Sequence, residues 1–133
     1  MNLFSFSINQ HFQRSIRIDN EISKEFLNHF ILHDTGKKVL NQISGSLLNS
    51  NQSAFTLTGP YGTGKSSLAL FLQALISEKP KIKKQAMQKA KFSLKSNFSK
   101  IFLKEKWYVI KFIGSKKDPL ENFAETIDHT VKT

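Results

Sequence analysis

The chain has 133 residues and no cysteine, which excludes disulfides, thiolate metal sites and thiol catalysis. Acids are scarce: ten Asp and Glu stand against twenty Lys and Arg, giving a formal net charge of +10. Arginine is scarcer still, with only Arg14 and Arg17 among the basic residues. No run of about 18 apolar residues occurs, so no transmembrane helix is expected. The opening residues, Met1 to Phe6, lack the basic stretch that begins a signal peptide, and the expected location is the cytoplasm. The four histidines, His11, His29, His33 and His129, are scattered, with no carboxylate at zinc-like spacing, and read as structural or surface residues. With 39% apolar residues and twelve Phe, there is material for one modest core.

What is present is concentrated in "TGPYGTGKSSLALF", residues 58–71. Gly59, Gly64, Lys65 and Ser66 fall at the spacing G-x-x-x-x-G-K-[ST]. Gly59, Gly62 and Gly64 lack a Cβ, so the loop can turn tightly and aim several backbone N–H groups at one point. A following helix adds the partial positive charge of its N-terminus, which suits phosphate. Lys65 can reach the β- and γ-phosphates, and the Ser66 hydroxyl is the expected Mg²⁺ ligand. Pro60 fixes φ early in the loop, where its missing N–H costs nothing. The expected nucleotide-binding residues are Gly59, Pro60, Tyr61, Gly62, Thr63, Gly64, Lys65, Ser66 and Ser67, with ATP or GTP and Mg²⁺ as ligands. Thr35-Gly36-Lys37-Lys38 also holds a Gly-Lys pair, but with no upstream Gly at the right distance; it reads as a helix start without a phosphate role.

Periodicity outlines the elements around this loop. Phe4, Phe6 and Ile8 alternate with serines, and Ile16 and Ile18 flank Arg17, so both runs read as short strands. From the N-cap candidates Asp19 and Asn20, Ile22, Phe26 and Phe30 recur every four residues, which predicts a helix. A second helix carries Val39, Leu40, Ile43 and Leu47, and residues 49–53 are polar turn material. Phe55 to Thr58 alternates apolar and hydroxyl residues and predicts a strand, followed by a buried helix over 67–76. Trp107 to Gly114 predicts a second strong strand, and Asp118 beside Pro119 reads as the N-cap of a last helix. The expected class is α/β: a partial parallel sheet with flanking helices over 54–133, preceded by a lead-in of short strands and two helices over 1–53.

Two helices, a strand and "GPYGTGKSSLAL", then "VIKFIGSKKDPLENF", resemble the nucleotide-binding domains of P-loop NTPases of the AAA+/STAND-like group. The chain looks similar to the front end of large bacterial ATPases, several of them from anti-phage defence systems. The resemblance implies that the turn Ile31-Leu32-His33 lies against adenine and that Arg14 or Arg17 approaches the phosphates or a neighbouring subunit; simple surface positions for both arginines are the other reading. It also implies partners: further copies of the chain, or the remainder of a longer ATPase. Such enzymes end an apolar strand in an acid that serves Mg²⁺ and the attacking water, and no strand here does so. Catalytic residues therefore stay unassigned, and hydrolysis by this chain alone is not expected.

Residues 79–107 hold ten Lys and one acid. Ile82, Ala86, Ala90, Leu94, Phe98 and Phe102 are spaced by four, which predicts one long amphipathic helix, or two bent near Ser93–Ser99. The lysines of 79–106 could neutralise nucleic-acid phosphates, meet an anionic membrane surface, or form a solvated face. The near absence of Arg, with its bidentate fork, favours the solvated face.

Overall fold

The computed structural model describes residues 16–103 and 106–132. Along the chain run α1 (Lys24–His29), α2 (Asp34–Asn49), α3 (Lys65–Leu75), α4 (Pro80–Ala90), α5 (Asn97–Phe102) and α6 (Pro119–Val131).

Local chemistry sets most of the boundaries. α1 starts later than Asp19-Asn20 because Asp19 is already occupied: both its carboxylate oxygens accept from the Arg17 guanidinium, at 3.0 and 2.8 Å. The Ser23 hydroxyl accepts from Phe26 N instead and caps the helix. α4 opens on Pro80, whose fixed φ suits the first turn. It stops at Lys91, which sits in the left-handed region at φ 51°. After that break, Ser96 accepts from Ser99 N and starts α5, so the Lys-rich segment forms two helices rather than one. In α2 the buried Ser44 hydroxyl donates to Leu40 O at 2.8 Å, so its polar atom is satisfied inside the core.

One apolar cluster joins these helices, and it draws on both sides of residue 53. Leu27, Phe30 and Leu40 meet Phe71, Leu75, Ile82, Phe98 and Phe102 within it. α2 packs on α5, α3 on α4, and α1 also touches α4. Stacked rings tie the helices together: Phe30 with Phe71 at 4.5 Å, and Phe92 with Phe98 at 4.5 Å. α6 buries no residue; its Phe123 meets Phe112 edge-on at 5.5 Å.

The α/β expectation is corrected here. Among the described residues there is no β-strand, and the partial parallel sheet is replaced by packed helices. A strand exists only through hydrogen bonds to a neighbour, and no ladder joins Phe55–Thr58 or Trp107–Gly114 to any other described segment. β-favouring side chains supply a preference of about 1 kcal/mol at most, not a partner. Side chains anchor the second run instead: Trp107 Nε1 donates to Ile101 O, Lys111 Nζ to Asn20 O, and Asn122 Nδ2 to Ile113 O. Phe55, Leu57, Tyr108 and Ile110 consequently remain exposed. Ile16–Ile18 is likewise no strand, and the run Phe4–Ile8 lies outside the described residues. Among the described residues no helix is long and apolar enough to cross a membrane.

Candidate functional site

The loop before α3 is shaped by its glycines. Gly62 and Gly64 take φ values of 81° and 79°, a region that side chains with a Cβ adopt only with strain. Gly64 is the N-cap of α3, and no side chain caps that end. Helix geometry leaves the N–H groups of Lys65, Ser66 and Ser67 without intrahelical acceptors, and the helix dipole places partial positive charge there.

Lys65, the first residue of α3, folds back over the loop. Its Nζ donates to Gly59 O at 2.8 Å, Pro60 O at 2.6 Å and Thr63 Oγ1 at 3.3 Å. Thr63 Oγ1 in turn donates to Pro60 O at 2.9 Å. All three ammonium protons are therefore held by neutral acceptors. Among the described residues no carboxylate pairs with Lys65, so the site keeps a full positive charge beside the helix N-terminus. Ser66 is exposed and Ser67 half-buried, while Tyr61 is almost wholly in solvent at 94% exposure.

The loop opens onto a cleft of about 1040 Å³. Leu57, Thr58, Gly59, Pro60, Gly62, Thr63, Gly64, Lys65 and Ser67 line one side of it. The other side comes from His29 to His33 and the first two turns of α2 (Thr35, Gly36, Val39), and Leu68 of α3 also lines the cleft. Tyr61 and Ser66 are not among the lining residues, and neither is any acid. Gly36 matters for space: a Cβ there would come within 2.9 Å of Leu32 Cδ1 and 3.3 Å of Leu68 Cδ1, so glycine lets α2 approach α3 closely. The Thr35-Gly36 pair, read in the sequence only as a helix start, thus lines the same cleft as the loop. Phe30, Val39 and Leu68 were missed as lining residues because each looks like ordinary core periodicity.

Other candidate residues fall elsewhere. Arg17 is exposed and bound to Asp19, away from the cleft lining. Their mutual hydrogen bonds hold the Asp19 carboxyl below its ordinary range and the Arg17 guanidinium above its own. Arg14 lies outside the described residues. Asp118 caps α6: its Oδ1 accepts from Leu120 N at 2.8 Å and Glu121 N at 3.2 Å. Asp118→Ala is expected to cost α6 about 1 kcal/mol of local stability. Amide hydrogen exchange over 119–124 should speed up several-fold, with Asp118→Asn close to wild type; a parallel loss of ligand binding at the loop would show that the carboxylate has a second role. Among the described residues no three His, Asp or Glu side chains group to hold a metal ion.

No family model, curated protein or solved structure matches the chain. The AAA+/STAND resemblance is therefore corrected. The domain of those ATPases is built on a parallel sheet, and among the described residues the only regular elements are helices. What persists is local: a glycine loop, a lysine and a helix start.

Proposed function

We propose that the chain binds a Mg²⁺–nucleoside triphosphate, ATP or GTP, with the phosphates on the loop Gly59–Ser67. The observation that carries this reading is the Lys65 ammonium at the mouth of α3, bonded only to neutral acceptors and lining a cleft with a largely apolar far side. A bare phosphate would be served by the loop alone. A ligand that also has a flat, weakly polar end gains from Ile31, Leu32 and Val39 across the cleft and from Leu68, one turn along α3.

In this reading a phosphate oxygen takes the place that the Gly59 and Pro60 carbonyls hold at Lys65 Nζ, because a charged acceptor makes the stronger bond. The N–H groups of the first α3 turn add donors to the same oxygens. Ser66, exposed just outside the cleft lining at the second residue of α3, would offer Mg²⁺ one hydroxyl oxygen, with water and phosphate supplying the others.

Thermal unfolding tests the proposal. At about 100 times its dissociation constant, Mg-ATP or Mg-GTP should add about 2.7 kcal/mol of stability. In Ser66→Ala the added effect of Mg²⁺ over nucleotide alone should vanish. No stabilisation by millimolar ATP or GTP would sink the reading.

A second reading is favoured by the exposure of Lys81, Lys84, Lys91, Lys95, Lys100 and Lys106: a basic surface for nucleic acid. DNA or RNA binding that falls steeply with salt and survives Lys65→Ala would support it.

A further inference from the structure

We propose that Lys89 is a positioning residue for the ligand's non-phosphate end, acting by holding the cleft wall at Phe30; this rests on the nucleotide reading above. Lys89 lies on α4, distant in sequence from the loop. Its Nζ donates to Asn28 O at 2.8 Å and Phe30 O at 2.7 Å. Asn28 O is one of the carbonyls that the end of α1 leaves without an intrahelical donor. Phe30 is the residue at which the helix gives way to irregular chain. One ammonium therefore closes the C-terminal end of α1 and fixes the wall where it leaves the helix, a place where a cation is also favoured by the helix dipole. Gln85, four residues earlier on α4, supports the same point by donating to the Asn28 side chain at 2.6 Å.

The wall needs such a fixture. Residues 30–33 form no helix: Phe30 is buried and Leu32 packs against the core, but Ile31 between them is 68% exposed and burial does not hold it. Phe30 itself is anchored on two sides, through its carbonyl to Lys89 and through its ring to Phe71 of α3. α3 carries Lys65 at its other end. Lys89 thus sets the wall against the same helix that carries the phosphate loop, and so sets the width of the cleft between them. It does not line the cleft, and its effect on a ligand passes through the backbone at 28–30.

The test compares ATP with inorganic tripolyphosphate, each with Mg²⁺, on Lys89→Met, which keeps the aliphatic stem and removes the donors. Because loss of folded protein scales both affinities alike, their ratio reports positioning and not stability. The ratio of ATP to tripolyphosphate affinity should fall about tenfold, with tripolyphosphate itself within about twofold of wild type once the folded fraction is allowed for. Gln85→Leu, a milder lesion of the same clamp, should lower the ratio about two- to threefold, and it decides the matter if Lys89→Met does not fold. An unchanged ratio in the folded variants overturns the inference, as does an equal loss of both ligands beyond the folded-fraction correction. Wild-type protein that binds neither ligand overturns the nucleotide reading instead, and the inference with it.

Discussion

Lys65→Ala is expected to weaken binding of a fluorescent ATP analogue at least tenfold, about 1.4 kcal/mol or more. The variant removes the one cation that the loop gathers around itself, and with it the charge that distinguishes this turn from any other glycine-rich bend. Its effect on folding should be small. The acceptors it leaves, Gly59 O and Pro60 O, belong to exposed residues that water can serve. Equal thermal midpoints with a large loss of affinity is therefore the expected pair of results. Unchanged affinity would remove the ground for placing phosphate at the loop.

Phe71→Ala should have the largest effect on stability, about 3–5 kcal/mol in chemical denaturation. Phe71 is fully buried, stacks on Phe30, and lies in the cluster that joins α1 and α2 to α3, α4 and α5. The cavity it leaves cannot close easily, because its neighbours are fixed from several helices at once. For a domain of ordinary stability this is a large share of the total. A loss under about 1 kcal/mol would mean that the core can collapse around the gap. That would contradict the packing described here.

Much of the helical skeleton was legible in the sequence. α2, α3 and α6 follow from apolar spacing and from the capping chemistry of Asp118. α3 was the clearest, since its sequence is apolar on nearly every side and starts directly after the glycines. The two strands were misread because the alternation in Phe55–Thr58 and the apolar run in Trp107–Gly114 describe side chains. A strand is made by a second backbone, and sequence pattern within the run says nothing about whether one is there. α1 began late for a related reason: Asp19 had a competitor for its carboxylate, Arg17, only two residues away.

The loop's residues were legible as a motif, and the cleft facing it only in part. Ile31, Leu32 and His33 line it, but Thr35, Gly36 and Val39 do so by virtue of how closely α2 approaches α3. Lys89 was hidden among the lysines of its segment. The available signal was its position: it lies three residues after Ala86 and directly before Ala90, beside the apolar stripe of α4 and not opposite it. A lysine there has backbone carbonyls within reach, whereas Lys81 and Lys84 are exposed to solvent.

α3 runs without interruption from the glycine loop into the centre of the core, Lys65 at one end and Leu70, Phe71, Ala74 and Leu75 toward the other. Although its ends can fray, loss of the core-buried turns would leave the Lys65 turn too short to persist, since a helix nucleus is costly and each turn supports the next. If the loop binds nucleotide as proposed, occupancy and folding are then coupled, since only molecules with an intact core present the loop in this form. The dissociation constant seen for any variant equals the intrinsic value divided by its competent fraction. A core substitution that leaves half the molecules folded would pass for a twofold binding defect without touching the cleft.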